Sequence, residues 1–337
     1  MDVCLIVPQP PATATAGQVY ASRMGDGLRA LGHRVQVVAL AGRLPDPDPE
    51  AVHAARAAWA SLPHDGVTLI DARALPAFAG LPLHRATALI HDPKAWDVGL
   101  SDAMAQRSHA VATALLRDTR CLVVTSEQTS VHVAREFGVP RDRISIVGPG
   151  IDDLKRCSGS SGPGCRILSV GALVPHKGHE VLLRALARLF DLDWELTIAG
   201  PADRDPDHAA SLRTLAAELD IAPRVRFADE ATEALWQGAD VFALAPYRAG
   251  YGAAVAEASR RGLPVAVSCV GAVPALVPPD AGVVCQPGDV EQLSKAIRRL
   301  VFDRALRHDM AQAAWEAGRL LPSWSEQASL LASVLGG

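Results

Sequence analysis

Short apolar runs, each ending at a turn residue and followed by a stretch with helical spacing, recur along the chain. In the first half, the runs at 3–7, 35–40, 67–71, 86–90, 121–125 and 144–147 read as buried strands. In the second half, strands are expected at 167–170, 196–199, 225–227, 241–245, 265–267 and 283–284. Helical spacing marks 19–31, 126–137, 180–190, 207–219, 232–238, 289–302 and 305–319, and a further helix opens at 253 and stops at Gly262. Strand, helix, strand units of this kind need a parallel sheet and right-handed crossovers. The pattern predicts an α/β chain of two doubly wound parallel-sheet domains facing each other across a cleft. The Gly/Ser-rich segment KRCSGSSGPGCR, 155–166, is the linker candidate between domains at 1–154 and 167–319.

A chain of 337 residues has room for two domains, and 49% apolar with 21% charged residues is a globular composition. A net charge of −4 gives no reason to expect nucleic acid as a partner. No apolar segment approaches the roughly 20 residues of a membrane span. The opening MDVCLIVPQP enters a strand without a basic leader, so a cytoplasmic protein is expected, with peripheral membrane contact left open. The six cysteines form no C-x-x-C pair, and four lie in or beside apolar runs as core residues. Cys157 and Cys165 flank the Gly/Ser loop and can pair, a reduced pair being the simpler reading. Asp46 with Asp48, and Asp205 with Asp207, form D-x-D patterns in polar loops; a chance recurrence explains them better than a metal site.

The most informative stretch is DVFALAPYRAGYGAAVAEASRRGLPVAV, 240–267. A buried strand runs into a loop with Gly250 and Gly252, then a helix, then another strand. Ligands bind beyond the carboxyl ends of such strands, where loop amides and helix N-termini favour anions. Glu257 is the only acid between Asp240 and Asp280. Two readings stand: a specific ligand contact, or an exposed Glu beside Arg260 and Arg261. Lys177 stands just ahead of another helix beyond a strand end, with Gly171 opening the same loop, so its ammonium is placed to neutralise a phosphate. The strand at 86–90 delivers His91 and Asp92 to the carboxyl edge, for chemistry or for bracing the loop. Gly17 ends a loop on the same edge, as a backbone-approach point or a plain turn residue. Gly148-Pro149-Gly150 lacks the third glycine and helix of a dinucleotide fingerprint.

In order, VGALVPHKGHEVLLRAL, GADVFALAPYRAGYGAAVAEASRRGLPVAVS, the Ser126 and GPGID segments and Ser323-Trp324 resemble the retaining glycosyltransferases of family 4, which adopt the GT-B fold. The resemblance implies transfer of a sugar from a nucleotide diphosphate donor, bound by the C-terminal domain, to an acceptor bound by the N-terminal domain. It also implies that a closing helix within 320–337 packs back on the first domain. Lys177 matches the phosphate-contacting lysine, and Glu257 the glutamate that holds the donor ribose. Gly250, Tyr251, Gly252, Ala253 and Ala254 match the segment whose amides meet the diphosphate and sugar. His91 matches a histidine near the reacting sugar, and Gly17 falls in the N-terminal glycine loop. No metal and no resident cofactor are implied.

Two departures stand out: Ala249 replaces the family's first glutamate, eight positions before Glu257, and Ala172 replaces a phosphate-binding arginine, five before Lys177. Arg248 is the neighbouring candidate to compensate. The expected function is a metal-independent retaining glycosyltransferase, and the alternative is a non-catalytic relative that binds a nucleotide or a partner protein. Aromatic residues make up only 4% of the chain, which favours a small or amphipathic acceptor over a long glycan.

Overall fold

A computed structural model describes residues 1–9, 15–62, 66–92 and 102–336. By its contacts the chain divides into Met1–Gly150 with Pro322–Gly337, and Ile151–Leu321.

The N-terminal unit holds β1 (Asp2–Pro8), α1 (Ala16–Ala30), β2 (Arg34–Leu40), α2 (Pro49–Ala60), β3 (Val67–Asp71), β4 (Ala86–Ile90), α3 (Asp102–Asp118), β5 (Cys121–Val124), α4 (Glu127–Phe137) and β6 (Ile144–Ile146). Its sheet has the order β2-β1-β3-β4-β5-β6, and every pair is parallel. The strands between the edges are buried on both faces, which is why they read as unbroken apolar runs.

The C-terminal unit holds β7 (Cys165–Val170), α5 (His179–Ala187), β8 (Trp194–Ala199), α6 (Pro206–Glu218), β9 (Val225–Ala228), α7 (Glu233–Gln237), β10 (Val241–Leu244), α8 (Ala253–Arg260), β11 (Val265–Ser268), α9 (Val273–Leu276), β12 (Gly282–Cys285), α10 (Val290–Phe302) and α11 (Arg304–Gly318). Its sheet, β12-β11-β10-β7-β8-β9, is also parallel throughout. α12 (Trp324–Gly336) then packs on α1 in the first unit, where Gly27 leaves the room: a Cβ there would stand 2.4 Å from that of Ala328.

Two expectations need correction. Gly17 lies in the first turn of α1, not in a loop. The helix starts three residues earlier than its apolar spacing indicates because Thr15 and Gln18 form a reciprocal capping box. Residues 155–166 are not a free linker. The amides of Cys157, Ser158 and Gly159 bond to the carbonyls of Arg261 and Gln237, and the segment runs directly into β7. Backbone bonding has overridden a flexible composition. All six cysteines are free thiols, and burial pushes Cys157 up to about 12.

Candidate functional site

Where strand order reverses in a parallel sheet, adjacent connections leave toward opposite faces and open a crevice at the carboxyl edge. In the C-terminal unit this point lies between β7 and β10. β7 leads into Gly171 and Lys177, and β10 leads into the loop through Gly252. The two connections meet at Gly178, whose φ is +64° and whose added Cβ would fall 1.8 Å from the Ala245 carbonyl oxygen. The amide of Tyr247 donates to the carbonyl of His176 at 3.0 Å, tying the loops together again. Lys177 lays its stem over Gly171, where a Cβ would approach its Cδ to 3.3 Å.

The helices that leave this point start differently from six others. α1, α2, α4, α6, α10 and α11 each begin on a Thr, Asp or Ser side chain that accepts a first-turn amide. α5 and α8 begin on left-handed glycines, Gly178 and Gly252, with no side-chain cap. Their first-turn amides therefore have no side-chain acceptor, at the positive end of the helix dipole. Burial, with Arg248, Lys177 and Arg204 adding positive charge nearby, pushes His176 down to about 4. Ala172, at the position of the absent arginine, is buried, and its carbonyl meets Nε2 of buried His179 at 3.3 Å. Ala249 is half-buried against the core, its carbonyl oxygen 2.0 Å from where a Cβ on Gly271 would stand.

Glu257 lies in the second turn of α8. Its Oε1 accepts from Arg261 Nε at 3.1 Å, and its side chain is 33% exposed, so it is neither fully solvated nor shut away. Burial raises its pKa, and Arg261 opposes that rise. Arg261 is itself only 4% exposed and sits over Trp236 at 5.1 Å. Its two terminal nitrogens reach Glu233 at 3.0 and 2.8 Å. Sequence reasoning noted Arg261 only as a neighbour; its i+4 spacing from Glu257 was the available signal.

In the N-terminal unit the reversal lies between β1 and β3. Asp71 ends β3 with its side chain 2% exposed, and Arg73, 28% exposed, folds back on it. The Arg73 amide donates to Oδ1 at 2.9 Å, Nε to Oδ1 at 3.2 Å, and Nη2 to Oδ2 at 3.0 Å. His91 follows β4, its Nε2 3.9 Å from Asp71 Oδ2 and its ring edge-on to Tyr20 at 4.9 Å. Tyr20 is fixed in turn by donating its hydroxyl to the Val147 carbonyl at 2.9 Å. Burial lowers the pKa of His91, with Asp71 pulling the other way, so the imidazole is neutral at neutral pH. A Cβ on Gly17 would stand 3.0 Å from His91 Cδ2 and 3.5 Å from Arg73 Nη2, so Gly17 lets α1 lie directly on this cluster. Asp71 and Arg73 were missed from sequence; an acid closing an otherwise apolar strand was the signal.

The D-x-D patterns have other duties: Asp48 and Asp205 cap α2 and α6. Among the described residues no three His, Cys, Asp or Glu side chains gather to hold a metal, and no helix is long and apolar enough to cross a membrane.

Residues 152–317, most of the C-terminal unit, match the family described as glycosyl transferases group 1. The D-inositol 3-phosphate glycosyltransferase of Corynebacterium efficiens is 28% identical over 242 residues; the match covers 65% of this chain and 57% of that relative's length. Sucrose-phosphate synthase from Thermosynechococcus elongatus superposes with a TM-score of 0.84 at 20% identity, covering 99% of this chain and 98% of its own. HepE from Anabaena, solved in complex with UDP-glucose, superposes at 0.82 with 16% identity, covering 100% and 99%. The two six-stranded parallel-sheet domains have the GT-B fold.

Proposed function

We propose that this chain is a retaining, metal-independent glycosyltransferase resembling family 4, moving a sugar from a nucleotide diphosphate sugar to an acceptor hydroxyl. One observation carries the reading. Within the domain that matches the glycosyl transferases, the two glycine-started helices, α5 and α8, leave the β7–β10 reversal beside a cluster of cations. Uncapped amides and fixed cations at one edge suit a diphosphate. Lys177 takes the phosphates with the amides of Ala253 and Ala254. Gly171, Gly250, Tyr251 and Gly252 shape the donor loops, and Glu257 holds the ribose hydroxyls. Arg248 and Arg204 supply positive charge where Ala172 brings none.

The acceptor binds on the N-terminal unit, beside Gly17 and His91. His91, neutral, acts as a hydrogen-bonding group near the reacting sugar and not as a cation. The acceptor hydroxyl attacks on the face from which the diphosphate leaves, and the departing phosphate takes the proton, so no side-chain nucleophile is needed. HepE, solved with UDP-glucose, supports the donor class, and a relative named for D-inositol 3-phosphate supports a small acceptor.

The test is nucleoside diphosphate release from a panel of nucleotide sugars with small polyol and amphipathic acceptors, in the presence of EDTA. The expected outcome is acceptor-dependent release that Lys177→Ala lowers about a hundred- to a thousandfold, with the anomeric configuration kept in the product's NMR spectrum. Nucleotide binding without turnover across the panel points instead to a non-catalytic binding protein.

A further inference from the structure

Arg261 is the most enclosed arginine of the ion pairs around α8, and it is held from every side. Glu233 takes its two terminal nitrogens, Trp236 lies under its plane, and its backbone carbonyl accepts the amide of Cys157. Trp236 is itself buried and stacked on Phe242 of β10 at 5.8 Å. With both terminal nitrogens turned to Glu233, the Nε–H of the guanidinium donates to Oε1 of Glu257. An exposed glutamate in mid-helix samples several rotamers, and fixing one of them before a ligand arrives removes that cost from binding.

We propose that Arg261, braced by Glu233 and Trp236, is a positioning residue for Glu257: it binds one carboxylate oxygen and thereby presents the other to the ribose of the nucleotide. The proposal rests on the nucleotide-binding role given to Glu257 above. It assigns specificity for the sugar hydroxyls of the nucleotide to a set of three residues, Glu233, Arg261 and Glu257, two of which never touch the ligand. α8 ends on this arginine. Arg261 caps the helix, and Gly262, in the left-handed conformation, turns the chain so that the amide of Leu263 closes on the Ala258 carbonyl at 2.9 Å. The arginine is thus fixed by backbone geometry as well as by its ion pairs.

The experiment measures calorimetric affinity for UDP, ADP and GDP, each beside its 2′,3′-dideoxy counterpart, in the full chain. For the nucleotide that binds best, Glu257→Gln and Arg261→Met each weaken the ribonucleotide about tenfold and leave the dideoxy form unchanged. The double variant is no weaker than either single one, because both remove the same contact. Arg261→Lys restores most of the ribose preference. Glu233→Gln gives a smaller loss of the same ribose-dependent kind, and at this half-exposed side chain it keeps the fold should Arg261→Met not do so. Equal weakening of ribo and dideoxy forms by the Arg261 and Glu233 variants, with Glu257→Gln still ribose-specific, overturns the positioning role and leaves nucleotide binding intact. If the folded wild-type chain binds none of the three nucleotides, the nucleotide reading fails and the positioning role falls with it.

Discussion

The two sheet edges carry the same ion pair built inside out. In the N-terminal unit the acid is buried and the arginine reaches outward: Asp71 lies deep at the end of β3 and Arg73 covers it. In the C-terminal unit the arginine is buried and the acids reach outward: Arg261 lies under Glu233 and Glu257. A buried ion is tolerated only when paired, so in each case the buried member fixes its partner and the partner faces the ligand edge. One unit therefore presents a guanidinium beside a neutral histidine, and the other presents carboxylates. In the function proposed above, helix amides and Lys177 add the positive charge that a diphosphate needs.

The inversion makes stability predictions of unequal size. Arg73→Met leaves buried Asp71 without its guanidinium, with only the backbone amide at 73 and neutral His91 beside it, and is expected to cost about 3 kcal/mol in urea denaturation. Arg261→Met leaves two acids that reach water and is expected to cost roughly half as much or less. Hydrogen exchange of β3 and of α8 assigns each loss to its unit, and equal losses would erase the distinction.

Catalysis sharpens the contrast next. Lys177→Ala should lower turnover about a hundred- to a thousandfold, the effect of removing a charge aimed at the leaving phosphate. A loss under tenfold in the rate of nucleotide release would move the phosphate site elsewhere.

Acid titration gives the next effect. His179 in α5 is wholly buried, and burial drives it from the usual 6.5 to about 4. The unfolded chain binds its proton first as pH falls, so stability present above about pH 6.5 drains away toward pH 4. The contribution is about 3 kcal/mol at most. His179→Gln keeps a donor for the Ala172 carbonyl and should flatten the slope of melting temperature between those pH values. A slope unchanged in the variant would assign the acid sensitivity to other groups. The smallest effect is expected of Glu233→Gln, under about 1 kcal/mol, since the side chain is 57% exposed.

Much of the fold is legible in the apolar runs, because strands buried on both faces leave no freedom for polar residues. Helix ends were less legible. α1 starts early on a side-chain capping box, and α5 stops at Ala187 while the apolar spacing runs on to Phe190, which is left exposed. The helices at Pro49–Ala60 and Asp102–Asp118 escaped notice because alanine and polar residues blur their stripes. Residues 155–166 look like a linker by composition, and only backbone bonds to Arg261 and Gln237 reveal that they belong to the sheet domain.

The sequence by itself determined the alternation of strands and helices, the glycine loop that leads into α8, and the chemical types at positions 91, 177 and 257. These are local properties, written in spacing and side-chain type. Only the tertiary structure decided which charges are buried and which are presented, since that depends on groups far apart in sequence. Arg261 meets Glu233 across 28 positions, and Asp71 faces His91 from a neighbouring strand. Glu257 was one acid on an apolar helix until its partner was found under it. A charge's role follows from what desolvates it, and desolvation is a property of the packed fold.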